Sequence, residues 1–580
     1  GAGIASTPPA GPVYLTAEGQ GAADGNVTIN GDLATAGPLI IRAPGDVLQT
    51  GGAVSANTIA ITARNIDQTG GGLTTASLDL RAGAGVNGRI AMSGTQADEI
   101  RFSAGAGGAA IASTVAATVS GSTRRGSGGA VTISATSDLT VGATTLTTAA
   151  GATSGYVVAD AAGAGGAIDL NAGGDLILDG RVVSGGEIGG TDYDHLSVAA
   201  PAALGDGAIA LTAAGRIRDA SALEPAAGDD VAAPALNAAT AGALTLNAAS
   251  IGFDADETPE GGIDDRIEVS AGTLIAASTG AAAGDGTYIG LLGDLATSGA
   301  GGVSAARNLS IQTFASGGQA GDITIDSGLT KGANGFAFLD AAGDLTVGAG
   351  ATLTATDAAL RLNAAGDLRI LDGALTVDGS GLIHLSAGDE AVLSGGVSRH
   401  AAGSGFSGTL GTAGGPIAAT DLGMIVAARM VTIDGVTLEA NGDAGVAAIA
   451  GETLALRGGA RIEAGGAATL VSDHAAGAAI GPGELRIDGG SAIVGADAAL
   501  YAASPEATRI NGAVSILSET FQQAFNGVAG GAAFAGAQIF FKSIAPPTPT
   551  TPLVAAIADP VLVYDTAVVE ETRRLRRAGG

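Results

Sequence analysis

The 580-residue sequence has no cysteine and no tryptophan, and only 6 tyrosines and 11 phenylalanines. Without cysteine there is no disulfide framework, no thiolate nucleophile and no thiolate metal site. The shortage of large rings argues against a wide globular core, which needs bulky side chains to fill it. Positive charge is scarce too, with 26 Lys and Arg against 56 Asp and Glu and a net charge of −30. A phosphate backbone requires neutralising cations, so nucleic acid is not expected as a partner. Self-repulsion at this charge favours solubility and discourages lateral sticking. No stretch of about 18 uninterrupted apolar residues occurs, which argues against a membrane span. The chain opens at Gly1 with no charged-then-apolar leader and is read as a mature product or a fragment.

Glycine, by contrast, is abundant at 99 residues. It breaks nearly every alanine run, and each interior glycine costs a helix about 1 kcal/mol relative to alanine, so a mainly helical fold is rejected. The same segments recur instead. Leu362-Asn363-Ala364-Ala365-Gly366-Asp367-Leu368 matches Leu170-Asn171-Ala172-Gly173-Gly174-Asp175-Leu176, and Gln-Thr-Gly-Gly begins at both Gln49 and Gln68. Gly-Asp returns at Gly343-Asp344, Gly366-Asp367 and Gly388-Asp389. A period near 20 residues identifies stacked one-coil units. Triplets such as Val27-Thr28-Ile29, Ile59-Ala60-Ile61, Leu244-Thr245-Leu246, Leu345-Thr346-Val347 and Leu485-Arg486-Ile487 alternate apolar and polar. In a strand this sends the apolar side chains inward and the polar ones to water. Gly, Asn and Asp between triplets supply the positive-φ corners. The expected fold is an all-β parallel β-helix of roughly 20 to 24 coils, a rod of roughly 100 to 115 Å at about 4.8 Å per rung.

Four regions follow. Residues 1–25 read as an entry strand or cap, 26–517 as repeats, 518–545 as a Phe/Gly/Ala-rich cap and 546–580 as a Pro-rich linker and charged tail. Coils are tightest from Phe338 to Leu393, and 104–128, 180–206, 218–236 and 252–265 are expected to leave the ladder as loops. Phe521, Phe525, Phe534, Phe540 and Phe541 cluster near the end. They read as a plug over the last rung, whose unpaired edge needs covering, or as a docking surface for a neighbouring subunit.

No catalytic constellation emerges. His195, His384, His400 and His474 lack paired metal-ligand spacing, and His384, flanked by Ile383 and Leu385, is expected on the surface by parity. Gly83-Ala84-Gly85-Val86-Asn87-Gly88 matches a dinucleotide fingerprint only formally, because no helix follows it. The acidic group Asp254, Asp256, Glu257, Glu260, Asp264 and Asp265 is the best cation candidate. Calcium takes six to eight oxygens, and Asp254, Asp256, Glu257 and Asp264 are its candidate ligands, against a simple solvated loop. No organic cofactor is expected.

The repeats at 170–176 and 362–368, with the paired Gln-Thr-Gly-Gly segments, resemble those of filamentous haemagglutinin-like exoproteins. The likeness covers about 26–517, although no Asn-Pro-Asn of that family's secretion domain occurs. It implies a right-handed parallel β-helix exported through an outer-membrane partner pore and folded outside a bacterial cell. Three roles follow as expectations. The chain is a non-catalytic surface adhesin or scaffold meeting a cell-surface or polysaccharide ligand, or a subunit that assembles end to end with copies of itself, or, least favoured, a polysaccharide lyase.

Overall fold

The computed structural model describes residues 11–543 apart from short stretches, the longest being 19–24, 83–87, 124–128, 161–165, 186–205, 221–235, 258–264, 298–301, 401–405, 411–415 and 531–535. The described residues hold 53 strands, one short 3-10 turn at His474–Ala476 and no α-helix. Hydrogen bonds join 51 of the strands into a single system. No helix among these residues is long and apolar enough to cross a membrane.

The chain winds as a parallel β-helix. Val13–Thr16 pairs in parallel with Leu39–Arg42, which pairs with Thr58–Ala63, while Val27–Ile29 stacks on Val47–Gln49 and Leu33–Ala34 on Ala53–Ser55. Each coil therefore contributes three short strands around one axis. The stretch expected to be tightest is the most regular. Ala337–Ala341, Leu345–Val347 and Thr352–Thr356 lie beneath Leu360–Ala364, Leu368–Leu371 and Ala374–Asp378, residue over residue. Leu339, Leu362 and Leu385 stack along the axis, as do Leu345 and Leu368, and all five are fully buried. On the order of 20 rungs follow one another, within the range set by the repeat length.

The structure departs from the sequence reading at the ends of the ladder and in two expected loops, 104–128 and 180–206, the second of which begins with the ladder strand Arg181–Gly185. The entry strand, Val13–Thr16, is itself part of the ladder, which also runs on to Gly536–Phe541, beyond 26–517 at both ends. Residues 104–128 are not simply a loop, since Ala109–Ser113 and Ala117–Thr123 are ladder strands. Their inward positions include Ala109 and Ala117, which are too small to announce an apolar alternation.

The Gly-Asp repeat has a definite cause. Oδ1 of Asp322 accepts the backbone N–H of Asp344 at 2.8 Å, Oδ1 of Asp344 that of Asp367 at 2.8 Å, and Oδ1 of Asp367 that of Glu390 at 3.2 Å. Asp138 serves Asp175 and Asp175 serves Arg216 in the same way, at 2.8 and 2.9 Å. One carboxylate per coil thus satisfies a corner N–H of the coil above. Glycine precedes the aspartate because the corner has no room for a side chain. A methyl group on Gly343 would lie 2.0 Å from Asp322 Oδ1, and one on Gly366 2.2 Å from Asp344 Oδ1.

Gly366→Ala is accordingly expected to displace the Asp344 carboxylate and destabilise that corner by about 1–3 kcal/mol. In an Asp344→Ala background the same change should cost much less. A double-mutant cycle read by hydrogen-exchange protection across Leu360–Leu371 measures the coupling, and equal costs in both backgrounds would exonerate the carboxylate.

Candidate functional site

The acidic loop is fastened to the wall of the rod. Phe253 and Asp265 close its base through reciprocal backbone bonds of 2.8 and 2.9 Å. The Glu257 carboxylate accepts from Arg307 Nε and Nη2 at 2.5 and 2.7 Å, from Asn308 Nδ2 at 2.8 Å and from the Gly284 N–H at 2.9 Å. Four donors fill the sites a carboxylate offers. Arg307 holds the Glu257 pKa down to about 2, aided by Gly284 and Asn308 against the cost of burial. The Arg216 guanidinium lies 4.0 Å over the Phe253 ring and 3.2 Å from Asp285. Oδ1 of Asp265 accepts the Asp219 N–H at 3.0 Å, and Asp254 is buried. Of the calcium candidates, Asp254 and Glu257 thus face the protein, and Asp256 and Asp264 lie outside the described residues. Among the described residues no three His, Asp or Glu side chains are placed to hold a metal ion. Close by, burial and Arg307 lower the Lys331 pKa to about 8, while its ammonium donates to the carbonyls of Gly332 and Asn334 at 2.9 and 2.8 Å.

A second feature lies on one outer face of the helix. The hairpin of Phe406–Leu410 and the first residues of Ile417–Asp434 runs antiparallel, and Ala418–Thr420 pairs with Val528–Gly530. This small sheet covers outward-facing Ile425, Ala447, Ile449, Val471, Ala499, Tyr501 and Phe540, making a second dry core. The sequence carried a signal for it that alternation missed. Met424-Ile425-Val426-Ala427-Ala428 and Val446-Ala447-Ala448-Ile449-Ala450 are unbroken apolar runs, and both are buried on every side chain. Continuous runs mark strands covered on both faces.

The carboxy-terminal phenylalanines contribute to both cores. Gly536–Phe541 inserts between Asp497–Ala502 and Ile516–Phe521, out of chain order and hydrogen-bonded to both. Phe541 points to the axis and stacks on Phe521 at 5.3 Å, while Phe540 points outward and stacks on Tyr501 at 4.8 Å. Phe525 meets the edges of Tyr501 and His474 at 5.2 and 5.3 Å. These four are engaged within the chain, and Phe534 lies outside the described residues. Lys542 forms a fully enclosed ion pair with Asp473 at 3.1 Å and also donates to the Asp473 carbonyl. Removing one partner of such a pair strands the other charge.

His384 is a correction to the sequence reading. Its outward parity holds, since it stands between Arg361 and Ile425 on neighbouring rungs, yet the side chain is buried rather than at the surface. The second layer over this face, which parity cannot reveal, accounts for the difference. Burial and Arg361 lower its pKa to about 4. His400 points inward, between Val377 and Ala440, and is also buried. His195 lies outside the described residues, as does the charged tail. The interior void between Ile29, Val47, Gln49, Gln68 and Met92 measures about 10 Å³, no more than one water requires.

Two outcomes follow. Glu257 has a folded pKa below its ordinary 4.5, so its contribution is present above that pH and is lost as pH falls towards about 2. Glu257→Gln should loosen the loop by about 1–2 kcal/mol at neutral pH, after allowance for solvent screening. It should also flatten the acid dependence of proteolysis at 252–265, and unchanged cleavage would refute the anchor. Phe540→Ala should destabilise the terminal rungs by about 3 kcal/mol. Exposed Leu517→Ala should change them by less than about 0.5 kcal/mol, both read by exchange protection at Asp497–Ala502.

No family model, curated protein or solved structure matches this chain, so the likeness to filamentous haemagglutinin-like exoproteins rests on its repeats.

Proposed function

We propose that the chain is an extracellular rod that displays loops and sheet faces away from a bacterial cell surface, serving as an adhesin or scaffold and not as a catalyst. The observation that carries this reading is the continuous ladder from Val13 to Phe541 around a dry axis of Ala, Val, Leu and Ile. A narrow solenoid has extended faces suited to contact and no interior in which to enclose a substrate. The repeats add an outer-membrane secretion partner and a cell-surface or polysaccharide ligand, with no cofactor. A net charge of −30 keeps neighbouring rods apart laterally.

End-to-end assembly is the second reading, favoured by the state of both ends. Among the described residues Val13–Thr16 and Ile516–Phe521 each pair along one edge only. Val13, Leu15, Ile516 and Phe521 are partly exposed where the axis opens, and Tyr14 and Leu517 are 61% and 67% exposed. Open edges accept strands of another chain, and a head-to-tail contact of this kind propagates without closing. Polysaccharide cleavage ranks third, because the perturbed Lys331 is tied to the carbonyls of its own turn.

Electron microscopy of the purified chain separates these readings. Isolated rods of roughly 100 Å are expected. Continuous fibres would replace the first reading with the second, and compact particles would remove both. Release of unsaturated ends from acidic polysaccharides would overturn the non-catalytic assignment.

A further inference from the structure

Lysine occurs only twice in the sequence, at Lys331 and Lys542, and arginine supplies the other long cationic side chains. Lys331 is tied to the carbonyls of its own turn. Lys542 is enclosed with Asp473, the two side chains being 3% and 1% exposed. Its Nζ lies 3.1 Å from Asp473 Oδ2 and also donates to the Asp473 main-chain carbonyl. The ladder fixes both residues. The Lys542 N–H donates to the Ala502 carbonyl at 3.1 Å, and the Asp473 N–H to the Glu452 carbonyl at 2.9 Å.

The two carboxyl oxygens of Asp473 are not equivalent. Oδ2 accepts the Gly481 N–H at 2.7 Å, whereas Oδ1 is buried and has no hydrogen-bond partner among the described residues. A methyl group on Gly481 would lie 2.0 Å from Oδ1, and one on Gly483 2.9 Å from Asp473 Cβ, so the carboxyl fills a cradle left by two glycines. A buried carboxylate with an idle oxygen is costly. The planar fork of an arginine would engage both oxygens. Lysine engages one of them, and its nitrogen can lose a proton and become a nucleophile. In a site this dry the neutral amine and carboxylic acid gain on the two separated ions.

We propose that Lys542 and Asp473 condense to an isopeptide bond, which staples the carboxy-terminal end of the ladder to the coil of residue 473. The ammonium passes one proton to the carboxyl, and the freed amine attacks Cγ. The Gly481 N–H steadies the negative charge that gathers on Oδ2. A second proton moves from nitrogen to Oδ1, the Cγ–Oδ1 bond breaks, and one water departs with both protons. The third proton stays on the amide nitrogen and keeps its bond to the Asp473 carbonyl, while the idle oxygen is gone. No oxidant, metal or further reactant is consumed. Fixed register supplies the entropic part of the barrier, and the dry site withholds the water that hydrolysis needs. The bond joins residues 69 positions apart. In a chain without cysteine it takes the place of a disulfide, restricting the unfolded state and keeping Gly536–Phe541 in the ladder.

Mass spectrometry of the full chain, folded at neutral pH and then denatured, tests the proposal. The intact mass should fall short of the sequence mass by one water. A tryptic digest should contain a branched peptide joining 462–486 to the segment that begins at 510, with cleavage after Lys542 lost. Full sequence mass together with complete cleavage after Lys542 would overturn the bond. Lys542→Arg keeps the charge pair but cannot form the amide, so this variant should show the full mass. Water loss that persists in the variant would place the dehydration elsewhere and also overturn the proposal. Should the variant fail to fold, fragmentation of the parent digest decides. Fragments that locate the link at Asp473 and Lys542 support the staple, and linear peptides alone refute it.

Discussion

Every coil must present its backbone hydrogen-bonding groups in parallel register to the coil below, and the rest of the structure follows from that requirement. Successive coils share one cross-section, so the axis admits only side chains that repeat at the same position, as Leu339, Leu362 and Leu385 do. Between strands the ladder must turn without leaving donors unsatisfied. The aspartate of one coil reaches up to the N–H of the next, and at Gly343 and Gly366 the missing side chain leaves space for the carboxylate. The high glycine content is therefore a consequence of corners stacked at about 4.8 Å.

That geometry leaves two weaknesses, and both bear on the carboxy-terminal part of the chain. The ladder has an end, and a sheet face broad enough to be apolar needs a cover. Gly536–Phe541 enters the ladder out of order and sends Phe541 to the axis and Phe540 to the outer core, while the edge of Ile516–Phe521 beyond it stays unpaired among the described residues. The neighbouring Lys542–Asp473 pair holds the segment with two buried charges, each of which would be stranded by loss of the other. The lateral acidic loop follows the same economy of position, with Glu257 filled by donors from two neighbouring coils. Its carboxylates serve the wall first, and the surfaces left for recognition are the sheet faces and outward loops.

The winding was legible because strand alternation and a period near 20 residues survive in Leu345-Thr346-Val347 and its counterparts. Ala109–Ser113 and Ala117–Thr123 were not, since alanine fills a narrow axis without marking a face. The clustering of phenylalanines at the carboxy-terminal end was visible, but not the insertion of Gly536–Phe541 between earlier strands, because pairing order is a long-range property with no local sequence signature. His384 shows the same limit, as parity gives direction and not what stands opposite.

The sequence by itself determined the coil, its period, its inward residues and its corners, because each depends on neighbours within one turn of chain or the turn above. Only the tertiary structure decided which outward faces would be covered, where the terminal strand would pair and which carboxylates would be neutralised. Those outcomes depend on segments tens of residues apart meeting in space, as Arg307 meets Glu257 and Lys542 meets Asp473. The physical reason is that repeat spacing encodes contacts along the axis, whereas contacts across the outer surface come from loops that do not repeat.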